Sequence, residues 1–183
     1  MLKNKYVLIG WLVVFFAGFS FAGSEGDLNK PDTVKVGSIP EVGPNQSFVI
    51  AVTVFSDELV AAFQIPLTFY SKDNSDIACD SIKWGDWVLK TNPYLEVTGI
   101  DTVNSKLRMG AVWVTEGLPP SYDTLARIYF HTGPKWKKDK GLVIDTTVCY
   151  PPPSGGYFEF VEEKEAKSFK PVFVKGYIGP VSK

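Results

Sequence analysis

The chain has 183 residues, of which 19 are Lys or Arg and 20 are Asp or Glu, giving a formal net charge of −1. This near balance provides no basic field, which excludes nucleic acid as a partner. The single histidine, His131, precedes Thr132-Gly133-Pro134 at the end of an apolar run, as is typical of a solvated turn residue.

The sequence contains none of the common catalytic signatures. There is no Gly-x-Ser-x-Gly elbow, no His-Glu-x-x-His motif and no glycine-rich phosphate loop. We therefore expect a protein that is not an enzyme, with no catalytic residue and no cofactor. The alternative is a hydrolase with an unrecognised pair of carboxylates, for which Asp86, Glu96, Asp101 and Glu116 are candidates.

The first 22 residues have the features of a cleavable signal peptide. Lys3 and Lys5 supply positive charge, residues 6–19 are almost wholly apolar, and Ser20-Phe21-Ala22 places small residues at the cleavage positions before Gly23. We expect residues 1–22 to be removed, leaving a secreted or periplasmic protein without a stable membrane anchor. An uncleaved anchor is the alternative, because the apolar run is near the lower length limit for spanning a bilayer.

Two cysteines follow the signal peptide, Cys79 and Cys149. An even number of cysteines in an exported chain permits a disulfide, and the sequence favours this bond over two reduced thiols. No metal site is expected, because the cysteines have no histidine partners. The oxygen-rich segment Asp73-Asn74-Ser75-Asp76 is interpreted as a turn rather than a calcium site.

The rest of the chain is predicted to form one all-β domain over residues 33–178, between a flexible lead-in at 23–32 and a short tail at 179–183. Ten apolar runs lie about ten residues apart, separated by Gly, Pro and Asn, which predicts a β-sandwich of nine or ten strands without an amphipathic helix. Pro66 cannot donate to a ladder, which predicts an edge position or a bulge. The predicted strands are 33–39, 46–55, 59–70, 77–84, 94–103, 106–114, 124–131, 142–150, 157–161 and 169–178.

Several of these segments resemble cohesin domains when taken in order. They are Thr33-Val34-Lys35-Val36-Gly37, the Gly43-Pro44 turn, the apolar strand at 48–55, the strand at 59–70 and Leu125-Ala126-Arg127-Ile128-Tyr129-Phe130. The resemblance covers nearly all of residues 33–178. It implies a jelly-roll sandwich that is noncatalytic and binds dockerin modules, which carry calcium.

The resemblance also implies a binding face on the sheet that contains the third and sixth strands. Side chains alternate along a strand, so the outward residues of these two strands share one face. The assignment depends on register, since a slip of one residue would invert it. The predicted protein-binding residues are Gln64, Thr68, Arg108, Val112 and Val114.

Polysaccharide binding is the alternative function. Sugar rings stack on flat aromatic side chains, and Trp84-Gly85-Asp86-Trp87 places two indoles around a turn that carries a carboxylate. The predicted glycan-binding residues are Trp84, Asp86 and Trp87. This hypothesis requires Trp87 on the surface, where Trp136 is also expected, whereas Trp113 is expected in the core.

Overall fold

The computed structural model describes residues 30–71, 73, 76–149 and 156–180. The predicted signal peptide and most of the lead-in and tail lie outside these residues. No helix in the described part of the chain is long and apolar enough to cross a membrane. The strands are β1 (Thr33–Val36), β2 (Ser47–Ser56), β3 (Val60–Thr68), β4 (Ile77–Trp84), β5 (Leu95–Asp101), β6 (Lys106–Val112), β7 (Ser121–Thr132), β8 (Leu142–Thr146), β9 (Glu159–Glu162), β10 (Ser168–Phe169), β11 (Val172–Val174) and β12 (Gly176–Ile178), and the helix is α1 (Asp86–Lys90).

The strands form two sheets, which confirms the predicted all-β sandwich. Sheet I has the order β11-β1-β2-β7-β4. Sheet II has the order β10-β9-β3-β6-β5, with β8 pairing to β3 and β12 pairing to β8. The β1–β11 pair is parallel, and the other strand pairs in the described residues are antiparallel.

The core lies between the sheets and follows the alternation of the strands. Phe63, on the inward side of β3, is 2% exposed, and its ring centre lies 5.9 Å from that of Trp84 on β4 of the opposite sheet. Full burial of a side chain of this size contributes about 1.5–3 kcal/mol. The inward residues predicted for the sixth strand are all buried, and they are Leu107, Met109, Ala111 and Trp113.

The strand count differs from the prediction because the last predicted strand is divided. Residues 169–178 contribute to β10, β11 and β12, which pair with β9, β1 and β8 respectively. Pro171 lies at the first break and has no backbone N–H to continue a ladder. The chain crosses from sheet II to sheet I at that residue.

Helix α1 was not predicted, because five residues are too few to show a helical period. It begins after Gly85, whose backbone N–H donates to the Leu125 carbonyl at 2.8 Å. A Cβ on Gly85 would collide with the Thr124 carbonyl oxygen, so this close approach to β7 requires glycine. The apparent turn in the sequence is therefore the start of a helix that packs against β7.

Pro66 lies in an interior strand, so the predicted edge position or bulge is wrong. β3 pairs with β6 from Ala62 to Thr68 without a register shift. On the other side of β3, β9 pairs up to Gln64 and β8 pairs from Leu67, which leaves Pro66 between the two partners. Its carbonyl points into this gap, where it accepts a hydrogen bond from the Thr147 N–H at 3.1 Å. The N–H and C=O of a residue in an antiparallel strand point to the same side, so the N–H that proline lacks would also have pointed into the gap.

The predicted disulfide is not formed, and Cys79 and Cys149 are both free. Cys79 lies on β4 of sheet I and its thiol contacts the Ser81 carbonyl at 3.9 Å, whereas Cys149 contacts the Leu107 carbonyl beside sheet II at 3.7 Å. The two thiols thus contact backbone carbonyls of two different sheets. Burial, with a contribution from the Asp80 charge, raises the pKa of Cys79 to about 12, which keeps its thiol protonated.

Candidate protein-binding face

The outer face of sheet II brings four of the five predicted protein-binding residues together. Gln64 and Thr68 project outward from β3, and Arg108 and Val112 project outward from β6, because the inward positions between them are buried. The pairing of the two strands places Gln64 opposite Gly110 and Thr68 opposite Lys106. The fifth residue, Val114, is 70% exposed and lies two residues beyond the end of β6.

One end of this face carries an uninterrupted line of apolar side chains. Val161 on β9 pairs with Ala62 on β3, Ala62 pairs with Val112 on β6, and Val112 pairs with Leu95 on β5. Val112 is 40% exposed and Leu95 is 52% exposed. We call these four residues the apolar row.

A shallow depression of about 190 Å³ lies beside the apolar row. Gly110 provides part of its floor, and an added Cβ there would lie 3.2 Å from the Phe63 carbonyl oxygen and 3.7 Å from the Gln64 Cγ. The missing side chain therefore leaves space between the neighbouring strands, and we call this space the Gly110 depression. Its lining is formed by Phe63, Gln64, Leu95, Val97, Arg108, Met109, Gly110, Ala111 and Val112.

The opposite end of the face is charged. Arg108 and Lys106 lie at successive outward positions of β6, with Gly99 and Asp101 opposite them on β5. Lys106 donates from Nζ to the Val148 carbonyl at 3.0 Å. Burial raises the pKa of the nearby Cys149 thiol, and the positive charges of Lys106 and Arg108 act in the opposite direction. The negative charge of Asp101, which lies opposite Lys106, acts together with burial, so this end carries charges of both signs and we call it the charged end.

Asp101 is held in the hairpin that follows β5. Its carboxylate accepts hydrogen bonds from the Asn104 side chain at 2.7 Å and from the backbone N–H groups of Asn104 and Val103. The hydrogen bond from the Asn104 side chain is the largest cause that holds the pKa of Asp101 below its ordinary value. The carboxylate consequently stays ionised and fixed at the hairpin turn.

The predicted glycan-binding residues are arranged differently from the prediction. Trp87 is 6% exposed, because α1 turns its indole into the core beside Val88, so its expected position on the surface is wrong. Trp84 is half-buried against Phe63, and only Asp86 of the three residues is exposed. A sugar ring cannot stack on the buried Trp87 indole, so this segment does not present Trp87 to a glycan as the hypothesis requires.

Two further tryptophans are also in the core. Trp113 is 6% exposed, as expected, and its Nε1 donates to the Thr91 hydroxyl at 3.1 Å. Trp136 was expected on the surface but is 3% exposed, with its Nε1 donating to the Val42 carbonyl at 2.9 Å. The lysines around Trp136 gave no indication of this anchor, which depends on a loop 94 residues away in sequence.

His131 is exposed at the end of β7, where its Nδ1 lies 2.6 Å from an Asp80 carboxylate oxygen. The register shift between Cys79 and Ser81 on β4 accounts for the position of Asp80. The described part of the chain contains no group of three or more His, Cys, Asp or Glu side chains able to hold a metal ion. This contact is a hydrogen bond between the His131 ring and the Asp80 carboxylate at the surface.

Comparison with known proteins identifies the fold. The sequence matches no protein-family model and no curated protein. A type I cohesin–dockerin complex from Clostridium thermocellum aligns with a TM-score of 0.65 at 11% identity, covering 83% of this chain and 100% of that chain. The chain has the cohesin fold. The predicted cohesin-like sandwich is therefore confirmed.

Two other cohesin structures support this assignment. The third ScaC cohesin of Acetivibrio cellulolyticus, in complex with a ScaB dockerin mutated in its C-terminal helix, aligns with a TM-score of 0.63 at 16% identity, covering 82% of this chain and 99% of that chain. A non-cellulosomal cohesin from Archaeoglobus fulgidus aligns with a TM-score of 0.62 at 12% identity, covering 84% of this chain and 93% of that chain. At these identities the likeness concerns the fold.

The sequence did not identify the residues that complete the face. Ala62, Leu95, Val97, Gly110 and Val161 join the predicted set only because β5 and β9 flank the central pair of strands. Alternation within each strand is visible in the sequence, but the pairing of four strands in one register is not. These residues could not be found because the sequence does not give the order of the strands in the sheet.

Proposed function

We propose that this chain is an exported, noncatalytic module that binds a dockerin-like protein through the outer face of sheet II. The observation that carries the proposal is the apolar row, which lies on a solvent-facing sheet beside the Gly110 depression. The cohesin fold supports the choice of partner, because the Clostridium thermocellum and Acetivibrio cellulolyticus cohesins bind dockerins in their complexes.

The physical argument rests on the grouping of the exposed apolar side chains. Removal of apolar surface from water is the main favourable contribution to protein association. Contiguous apolar patches with a polar margin are typical of interaction sites, and the fully buried centre of an interface is depleted in charge. The apolar row provides such a centre, and Gln64, Arg108 and Glu159 provide polar groups around it.

The experiment is a binding assay with a matched pair of variants. The protein, produced with its leader and purified after export, is immobilised and exposed to a native secretome in calcium, and bound proteins are eluted with a chelator and identified. We expect proteins with dockerin-like calcium loops, whose binding is then measured with purified modules.

Val112→Asp and Val49→Asp form the matched pair, because the two valines are 40% and 43% exposed on strands of opposite sheets. We expect Val112→Asp to weaken dockerin binding at least a hundredfold and Val49→Asp to leave it unchanged. Equal binding by both variants would reject this face as the site. Failure to retain any dockerin-bearing protein, in a sample where a control cohesin succeeds, would reject the partner.

Export is part of the proposal and rests on the features of residues 1–22. If it is correct, protein recovered from outside the cytoplasm begins at Gly23. Amino-terminal sequencing of the exported protein tests this directly. A protein that retains Met1 in the membrane fraction would instead be anchored by the apolar segment.

Polysaccharide binding has less support, because three of the four tryptophans after the leader are buried. The half-buried Trp84 is the fourth. If the protein is retained on a polysaccharide column, Trp84→Ala should abolish the retention. Retention that survives this substitution would require a different glycan site.

A further inference from the structure

The outer face of sheet I carries two cations that lie directly opposite each other. Lys83 on β4 and Arg127 on β7 are register partners, and both side chains are exposed. Ala126 and Ile128, on either side of Arg127, are buried, so the cation pair points outward. Like charges at directly opposite positions of two strands repel each other and destabilise the pair. An anion bound between the two groups would remove this repulsion.

The charges of this pair are not neutralised from within the protein. In the part of the chain that the structure describes, no carboxylate forms a salt bridge with Lys83 or Arg127. The Asp80 carboxylate, also on β4, is hydrogen-bonded to the His131 ring at 2.6 Å. The Lys83 Nζ instead lies 5.1 Å from the centre of the Tyr129 ring. Both cations are therefore available to a ligand.

Aromatic side chains lie on the same face, on both sides of the cation pair along β7. Tyr129 is half-buried beyond Arg127, and Tyr122, in the other direction, is 68% exposed beside the half-buried Phe55 on β2. A bulge between the two tyrosines shifts the alternation by one residue, so both face outward. The line from Tyr122 to Tyr129 is about 20 Å long, since each strand residue rises about 3.3 Å.

A sugar polymer that carries carboxylates matches this arrangement. The C–H face of a pyranose ring is apolar and packs on flat aromatic side chains. A guanidinium binds a carboxylate through two parallel hydrogen bonds, and an ammonium adds a compact positive charge. A uronic acid provides both groups in one residue, because its pyranose ring carries a carboxylate. The order of ring, cation pair and ring along β7 favours an extended polymer over a single small anion.

We propose that the outer face of sheet I binds a polysaccharide of uronic acids. A carboxylate of the polymer lies between Lys83 and Arg127, and neighbouring pyranose rings stack on the tyrosines of β7. The inference is independent of the docking function proposed above, because it uses the opposite face of the sandwich. It also places the glycan away from Trp84, whose ring packs inward.

The test measures binding of the exported protein to three polymers, without added calcium. Polygalacturonate carries a carboxylate on each pyranose ring, its methyl ester keeps the rings without the charge, and poly-L-glutamate keeps the charge without the rings. We expect polygalacturonate to bind at least about tenfold more tightly than either of the others, since each of them lacks one of the two contacts. Equally tight binding of poly-L-glutamate would overturn the inference in favour of an acidic peptide. Equally tight binding of the ester would overturn the role of the cations.

Two double variants separate this site from the overall charge of the protein. Lys83→Gln with Arg127→Gln should weaken polygalacturonate binding at least about tenfold, because two charged contacts are lost. Lys106→Gln with Arg108→Gln on the outer face of sheet II changes the net charge equally and should leave the binding unchanged. Equal losses in the two double variants would overturn the site.

The aromatic contact is tested by a second matched pair. Tyr122→Ala should weaken polygalacturonate binding about fivefold, whereas Tyr122→Phe should keep it, because stacking uses the ring. Tyr70 follows β3 and is 65% exposed, so Tyr70→Ala removes a similar ring elsewhere and should have no effect. Trp84→Ala should also leave this binding intact. Loss of binding in Trp84→Ala, with binding kept in Tyr122→Ala, would overturn the site on β7.

Stability and the docking face provide the remaining controls. Arg127→Gln should not lower the melting temperature of the free protein, because it relieves the repulsion with Lys83. A lower melting temperature would overturn the inference by showing that Arg127 stabilises the fold. Val112→Asp on sheet II should leave polygalacturonate binding unchanged, so failure of the docking function and failure of this inference are observed separately.

Discussion

The two outer faces of this sandwich are built from similar strands but differ in how their side chains are grouped. On sheet I, the outward residues of β4 and β7 include Lys83 and Tyr129, with the Lys83 Nζ 5.1 Å from the centre of the Tyr129 ring. Val49 lies opposite Tyr129, so the exposed aliphatic residue has a polar aromatic neighbour. On sheet II, the apolar row joins four apolar residues across four strands.

The two faces allow the grouping of apolar side chains to be separated from their exposure. Val49 on sheet I and Val112 on sheet II are almost equally exposed, at 43% and 40%. Single exposed aliphatic side chains are ordinary on protein surfaces, whereas contiguous ones indicate a partner. Substitutions in matched pairs on the two sheets are the direct way to examine this difference.

The largest effect on stability is expected beneath the outer face of sheet II. Phe63→Ala should lower the free energy of unfolding by about 3–5 kcal/mol, because the ring is buried and its cavity cannot collapse between two sheets. Its ring centre lies within 6 Å of those of Trp84, Trp113 and Phe160. The measurement is chemical denaturation followed by tryptophan fluorescence.

Phe55→Ala provides the matched substitution on the outer face of sheet I, where the ring is only half-buried. We expect it to cost about 1 kcal/mol, since a partly exposed ring leaves less apolar surface to lose. Equal losses in the two variants would contradict the assignment of Phe63 to the centre of the core. Equal losses would also mean that the Phe63 ring does not hold the outer face of sheet II rigid.

A smaller effect is expected on binding when the apolar row is shortened. Leu95→Ser should weaken binding of the proposed dockerin-like partner about tenfold, which corresponds to about 1.4 kcal/mol. The stability of the free protein should change little, because Leu95 is 52% exposed. Calorimetric titration of the partner gives the dissociation constant.

The control for Leu95 is Val172→Ser, because Val172 is 49% exposed on an edge strand of sheet I. We expect the Val172→Ser variant to bind the partner with the same dissociation constant as the unmodified protein. A similar loss in both variants would mean that exposed aliphatic residues act without regard to their position. The distinction between the two faces would then fail.

These pairs also show which parts of the fold the sequence could predict. Alternation alone placed Phe63, Leu107 and Met109 inward and Gln64 and Arg108 outward, because side-chain direction is a property of each strand. The apolar row could not be predicted in the same way. It depends on which strands are neighbours, and strand order results from contacts between residues far apart in the sequence.

The errors at Trp87 and Trp136 have a related cause. Gly85 and Asp86 were interpreted as a turn, and a turn would have left Trp87 outside. In the structure Gly85 permits a close approach to β7, and the five-residue helix that follows rotates Trp87 inward. Trp136 lies among lysines in sequence, but its indole donates to a carbonyl contributed by a distant loop. In both cases the polar residues next to the tryptophan in sequence did not indicate that its side chain is buried.

The charged end of sheet II should respond to acid through Asp101. Asn104→Ala removes the largest cause that lowers the pKa of Asp101, so the pKa of this carboxyl should rise toward 3.8. A carboxyl with a depressed pKa contributes stability above its unfolded pKa and loses that contribution as the pH falls through the folded pKa. Wild type and variant should therefore differ slightly at neutral pH and converge below about pH 4.

Nuclear magnetic resonance titration of the Asp101 carboxyl carbon provides the measurement. Asn92→Ala is a suitable control, because it removes an asparagine that lies before β5 and is not among the residues that lower the pKa of Asp101. An unchanged Asp101 titration in Asn104→Ala would contradict the hydrogen bond from its side chain. A stability difference that grows in acid would contradict the sign of the argument.

The smallest effect is expected from reductant, because Cys79 lies on sheet I, Cys149 lies beside sheet II, and both are free. Reduction should leave the melting temperature unchanged, whereas a disulfide closing a loop of this length would stabilise the fold by about 4 kcal/mol. In the folded protein Cys149 should react with a maleimide before Cys79, since Cys79 is buried and its pKa is raised to about 12. Two thiols should react after denaturation without reductant. A single mass peak lacking both labels would instead establish the disulfide, and would require β4 and the segment after β8 to lie closer together than they do in this structure.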